Sequence, residues 1–261
     1  GNDPFGNPTM RANMHAGNDW DIVTGESGPE DPNFSLVSFQ SLKGRPIALL
    51  GNFSMHYFSG GIKGVNADYF GLFNDLLTEK LGHKQPDKPA FVSVLGHGCS
   101  GDIWRRDYTK RPHLNPTINE YASGLAKKAL RAYGKITYER GATLAMAEAK
   151  LPLKFRAPDK QLLEWAKAIV EKTEGLPKKQ QEIYAREQIF LHERPEAELI
   201  LQAIRIGDIG ITGIPNEVYA LSGLKQKAYS PLKTTITFDL ANGSEGYIPP
   251  PEQHVLGGYN T

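Results

Sequence analysis

Two apolar runs that each stop at a polar, glycine-bearing loop constrain this chain more than any other feature. PIALLGNFSM (46–55) runs into His56 and the loop HYFSGGIKGVNAD, and AFVSVLG (90–96) runs into HGCSGDIWRRDY. Apolar runs of this length bounded by turn residues read as buried strands. Between them DYFGLFNDLLTEKLG (68–82) has helical spacing, with Gly82 as its stop. Strand, helix and strand in this order predict an α/β fold: a mixed β-sheet core flanked by helices, with the site loops gathered at one sheet edge.

The rest of the chain extends this layer. FSLVSFQ (34–40) alternates as a strand, 118–137 reads as a helix and 142–155 as a strand. Two charged helical stretches, 159–173 and 178–193, are joined by TEGLPKK. ELILQAIRIGDIGITGIP (198–215) reads as a hairpin about Gly207-Asp208. A helix over 216–229, a strand over 234–240 and a Gly/Pro loop close the chain. With no repeat and no clear linker, the expectation is a single domain over 1–261 with a helical excursion at 157–195. The polar opening GNDPFGNPTMRANMHAGNDW reads as the interior of a loop and LGGYNT as a cut end. The chain is therefore expected to be a fragment that lacks its N-terminal part.

Composition excludes several classes. Lys+Arg 30 against Asp+Glu 29 leaves no basic excess for nucleic acid. One cysteine excludes an internal disulfide and a multi-cysteine zinc site. No apolar run is long enough to span a bilayer. Walker A, GxGxxG and HExxH motifs are missing from the sequence.

Four places carry candidate chemistry. His56 follows a buried strand, where α/β folds place reactive groups; it equally suits a half-buried histidine bonded to backbone. Glu217, in IPNEVY, falls in a first helical turn, where the helix dipole alone favours a carboxylate. Tyr247 follows a glycine and precedes a proline run; it equally suits a rim tyrosine. In VLGHGCSGDIWRRDY, the glycines at 96, 98 and 101 allow unusual backbone angles, and successive N–H groups there can cradle an anion. His97 could serve as a base. Ser100 and Cys99 are conceivable nucleophiles, but G-C-S-G is one residue short of G-x-S-x-G. One His, one Glu and one Tyr suit a zinc that keeps an open position.

At these residues the sequence resembles the N-terminal catalytic domain of the neutral/alkaline non-lysosomal ceramidase superfamily, in its shorter bacterial branch. GRPIALLGNFSMHY, VNADYFG with VLGHGCSGDIW, LQAIRIGDIGITGIPNEVY and LANGSEGYIPPPEQHVLGGY carry the resemblance in the expected order. It implies a zinc bound by His56, Glu217 and Tyr247. It also implies a further histidine from an upstream T-H-T-H-S-G-P segment that this chain does not contain; His15, in NMHAGN, does not match it. The family loop reads G-[DN]-x-S-P-N and its serine is the nucleophile. Here Trp104 stands at that place, so serine chemistry does not carry over.

The expected function is a zinc-dependent hydrolase that cleaves an amide (N-acyl) bond by metal-activated water. Asp102, His97 and Tyr259 are the catalytic candidates, and Trp104, Arg105, Tyr57 and Asp68 are expected to bind substrate. A small lipid-amide or carbohydrate is the expected partner, and the resemblance implies a secreted or periplasmic bacterial protein. The alternative is glycoside cleavage, with Trp104, Trp20, Tyr57 and Tyr69 stacking on sugar rings and two of Asp68, Asp102, Glu217 and Glu252 as acid and base. A non-catalytic fragment is the third reading.

Overall fold

The computed structural model describes residues 8, 10, 12, 23–58, 62–82, 88–110, 112 and 114–257. Trp20, His15 and Tyr259 lie outside these residues. The first layer is β1 (Phe34–Gln40), β2 (Pro46–Phe53), α1 (Asp68–Leu81), β3 (Val92–His97) and α2 (Ile118–Tyr133). The strands form a sheet in the order β1-β2-β3. β1 and β2 are antiparallel. β2 and β3 are parallel, with Phe53 opposite His97, so the strand–helix–strand reading holds and both strands end at the same edge.

The core sits between this sheet and its two helices. α1 buries Tyr69, Phe73 and Leu77, one residue per turn on one stripe. α2 buries Ile118, Ala122, Leu125, Ala126 and Ala129, and its small residues bring it close to α1. Thr117 and Glu120 form a reciprocal capping box that starts α2. Leu49, Leu95 and Phe91 meet these side chains from the sheet.

The chain continues through β4 (Leu144–Lys154), α3 (Lys160–Val170), α4 (Gln180–Glu193), β5 (Glu196–Ile206) and β6 (Ile209–Gly213). It then forms β7 (Glu217–Val218), α5 (Ala220–Tyr229), β8 (Thr234–Phe238), β9 (Tyr247–Ile248) and α6 (Pro251–His254). A second sheet runs β4-β5-β6-β8. β5 and β6 form the hairpin expected from the sequence, and its Gly207 has φ +58°. β8 lies parallel to β6, with Gly213 opposite Phe238.

Two compact units result, where the sequence predicted one domain: 1–147 with 202–261, and 148–201. The second contains the predicted helical excursion together with the outer parts of β4 and β5. Within it Ala166 and Ala185 are fully buried, and Lys150 pairs with Glu198 across the two strands. Every candidate site residue described belongs to the first unit.

Phe73→Ala should cost about 3–5 kcal/mol through the cavity it leaves, whereas Thr117→Ala should cost about 1 kcal/mol through the lost cap. Urea unfolding of the two variants measures both.

Candidate functional site

The ends of five strands build the site: β2, β3, β7, β8 and β9. Gly96 lets β3 and β8 close on each other: a Cβ there would lie 2.0 Å from the Phe238 ring. Beyond this contact the Asp239 N–H donates to the His97 carbonyl at 3.2 Å. At Gly101 a Cβ would lie 2.6 Å from the Glu217 carbonyl oxygen, and the Gly101 N–H donates to Val218 O at 2.9 Å. The glycine-rich loop is thus pressed against the segment that carries Glu217. Close approach, and not positive φ, is what Gly96, Gly98 and Gly101 provide.

Four of the loop's N–H groups are spent, which narrows the anion-cradle expectation. Gly98, Gly101 and Ile103 donate to backbone carbonyls. Ser100 N–H donates to Asp239 Oδ2 at 3.3 Å.

Glu217 is not in a helical turn. β7 pairs with β9, and Glu217 stands opposite Tyr247. The Glu217 N–H donates to Gly246 O and the Tyr219 N–H to Ile248 O. This bonding holds residues 217–219 extended, so α5 starts only at Ala220. Asp102 supplies the helix start: its Oδ1 accepts the Ala220 N–H at 2.8 Å, while Tyr219 offers no side-chain cap. Its Oδ2 accepts from Gln253 Nε2 at 2.9 Å. Burial raises the Asp102 carboxyl above its ordinary range, against these two hydrogen bonds. Asp102 therefore ties α5 to α6.

The structure brings His56, Glu217 and Tyr247 together. His56 Nε2 lies 3.1 Å from Glu217 Oε2. The Tyr247 hydroxyl hydrogen-bonds the same carboxylate. Glu217 Oε2 and His56 Nδ1 are buried, and neither has another hydrogen-bond partner among the described residues. Burial first, then the neighbouring His97, push the His56 imidazole down to about 4, so it is neutral near pH 7. Burial raises the Glu217 carboxyl. No three His, Cys, Asp or Glu side chains among the described residues converge as a metal site; this group has one His, one Glu and one Tyr.

Aromatic contacts orient His56. His97 stacks on it at 5.6 Å and 18°, Tyr57 lies at 5.1 Å, and Trp104 stands edge-on at 6.2 Å and 89°. His97 is itself fixed at both nitrogens. Asp239 Oδ1 lies 2.8 Å from Nδ1, and Ser100 Oγ lies 3.0 Å from Nε2.

Asp239 went unseen in the sequence reading, although its place at the end of TTITF obeys the strand-end rule that singled out His56. Asp239, His97 and Ser100 have the connectivity of a nucleophilic triad. Two facts oppose that role. Ser100 is 0% exposed. Four loop N–H groups, those of Gly98, Ser100, Gly101 and Ile103, are occupied and cannot stabilise an oxyanion. The trio packs behind His56 through the His97 ring.

The substrate candidates divide. Tyr57, Asp68 and Phe70 line a groove of about 600 Å³ together with Ile62, Val65 and Asn66. Asp68 Oδ1 accepts the Phe58 and Tyr69 N–H groups at 2.9 and 2.7 Å, and φ +50° at Asp68 aims it there. Arg105 packs over the Trp104 ring at 4.4 Å and the Phe58 ring at 4.7 Å. Tyr69 is fully buried, with its hydroxyl on Met55 O, so it cannot stack on a sugar. Glu252 pairs with Lys225 on the surface.

Comparison with solved structures finds the same architecture. A neutral ceramidase from Pseudomonas aeruginosa superposes with a TM-score of 0.61 at 15% identity, over 88% of this chain and 43% of that one. A ceramidase complexed with C2 superposes with a TM-score of 0.61 at 14% identity, over 88% and 44%. The chain thus has the ceramidase fold at a distance and spans less than half the length of those proteins. No protein-family model and no curated protein sequence matches it.

Cys99 is 2% exposed, and burial with nearby Asp239 pushes its thiol up, so it is protonated at neutral pH. Ellman's reagent should therefore leave Cys99 unmodified in native protein and react with one thiol in denaturant. Rapid native labelling would show an open loop.

Proposed function

We propose that this chain, with the fold of neutral ceramidase, is the metal-binding catalytic unit of a hydrolase that cleaves an N-acyl amide. The observation that carries this reading is the meeting of His56 Nε2, the Glu217 carboxylate and the Tyr247 hydroxyl. Two ligand atoms 2.0–2.2 Å from one tetrahedral zinc stand about 3.3–3.6 Å apart. The 3.1 Å between His56 and Glu217 is near that spacing and leaves little to adjust. A neutral imidazole and an otherwise unpartnered carboxylate oxygen are the donor forms zinc takes. The residues present fit the metal.

The chemistry zinc supplies in such a site is Lewis acidity, which polarises an acyl carbonyl and makes water a nucleophile near neutral pH. The rest falls to the chain. His56, Glu217 and Tyr247 would hold the zinc. His97 keeps the His56 ring in plane from behind, clamped by Asp239 and Ser100. Trp104 closes one side and keeps bulk water from His56. Asp102 fixes α5, and through it the backbone beside Glu217. The Tyr57–Asp68–Phe70 groove receives the acyl part of the substrate. In the net reaction water gives its oxygen to the acyl carbon, the C–N bond breaks, and the amine leaves with the proton.

Glycoside cleavage is less favoured, because Asp102 and Glu252 are committed to other partners and Tyr69 is buried. No helix among the described residues is long and apolar enough to cross a membrane. The proposed compartment is the periplasm or the exterior.

Isothermal titration with zinc tests the reading. The chain should bind one zinc, His56→Ala should abolish binding, and Tyr247→Phe should weaken it about 10–100-fold. Ser100→Ala should leave most amide-hydrolysing activity. A zinc site indifferent to His56→Ala contradicts the assignment, and loss of turnover in a folded Ser100→Ala protein reinstates a serine nucleophile.

A further inference from the structure

Arg105 and Arg106 occupy the place where the ceramidase-like loop pattern has Pro-Asn. The Arg105 guanidinium is held between two rings, Trp104 at 4.4 Å and Phe58 at 4.7 Å. One of its N–H groups donates to Phe58 O at 3.1 Å. The Nε atoms of Arg105 and Arg106 are both buried without a hydrogen-bond partner among the described residues.

The carboxylates near this pair are committed elsewhere. Asp107 binds Lys110 and Thr109. Asp68 accepts backbone N–H groups through Oδ1. Arg106 is the largest charged influence on Arg105, and Asp68 attracts it more weakly. Two adjacent cations, one held between two rings, thus stand together without a carboxylate in ion-pair contact among the described residues. An arginine fixed in this way presents its fork to an oxyanion at little entropic cost. The Trp104 indole that carries this guanidinium also stands edge-on to His56, at 6.2 Å.

We infer that Arg105, with Arg106 beside it, receives an anionic group on the substrate's amine side, so that the preferred substrate is an N-acyl compound carrying a carboxylate or sulfonate near its amide. This rests on the N-acyl hydrolase reading for the position of the amide, but anion recognition can be measured without turnover. A neutral long-chain amide, by this argument, leaves the arginine pair uncompensated and binds less well.

Binding of N-hexanoylglycine, N-hexanoyltaurine and neutral N-hexanoylethanolamine to the full 261-residue chain tests the inference by calorimetry at low and moderate salt. Either anion, or both, should bind at least about tenfold more tightly than the neutral amide, with a preference that shrinks as salt rises. A carboxylate-only or sulfonate-only preference identifies which oxyanion the fork fits. Arg105→Gln and Arg106→Gln should each reduce the preference, and Arg105→Lys should retain only part of it, since the ammonium cannot form the fork. Equal affinity for anionic and neutral ligands, no measurable binding of any of the three, or a preference that survives both glutamine variants overturns the inference. Zinc binding that depends on His56 alongside any of those results leaves the hydrolase reading intact, so the two failures are distinguishable.

Discussion

The Gly101 N–H donates to the Val218 carbonyl at 2.9 Å, across a gap that no side chain could occupy. The site depends on this contact. It presses the loop after β3 against the β7 segment, where Glu217 faces Tyr247. One residue further on, Asp102 caps α5. On the other side of the loop, Gly96 lies against Phe238, and Asp239 reaches His97 and Ser100. Side chains from positions as distant as 56, 97, 217, 239 and 247, drawn from three sheets, meet at one place because glycines there let backbone touch backbone.

Much of this layout was legible in the sequence. The strand–helix–strand order follows from apolar periodicity, and the parallel pairing of β2 with β3 then places His56 and His97 at one edge. The hairpin at Gly207-Asp208 was equally plain. Less visible was anything set by distant pairing. Glu217 sits in a segment with helix-like composition, yet hydrogen bonds to residues thirty positions later hold it extended. The loop glycines were read as a source of unusual angles, whereas their φ values are ordinary and their function is steric. Asp239 shows the cost of applying a rule unevenly: it ends a strand as His56 does, and nothing in its local sequence announces its partners.

The site contains two polar systems with different work. His56, Glu217 and Tyr247 form the open one; burial keeps its imidazole neutral, and Glu217 Oε2 has no other partner among the described residues. Asp239, His97 and Ser100 form the closed one. Its connectivity is that of a catalytic triad, and its serine is fully buried. Trp104 joins the two functions of the loop: its edge meets His56, and its face carries Arg105. The indole is thus both a neighbour of His56 and a platform for a cation.

Anomalous diffraction at the zinc edge from crystals grown with zinc tests the central claim most directly. The account predicts a single strong peak within about 2.0–2.2 Å of His56 Nε2, a Glu217 carboxylate oxygen and the Tyr247 hydroxyl oxygen. A zinc peak at His97, at Cys99 or on the surface, with none between His56 and Glu217, would contradict it.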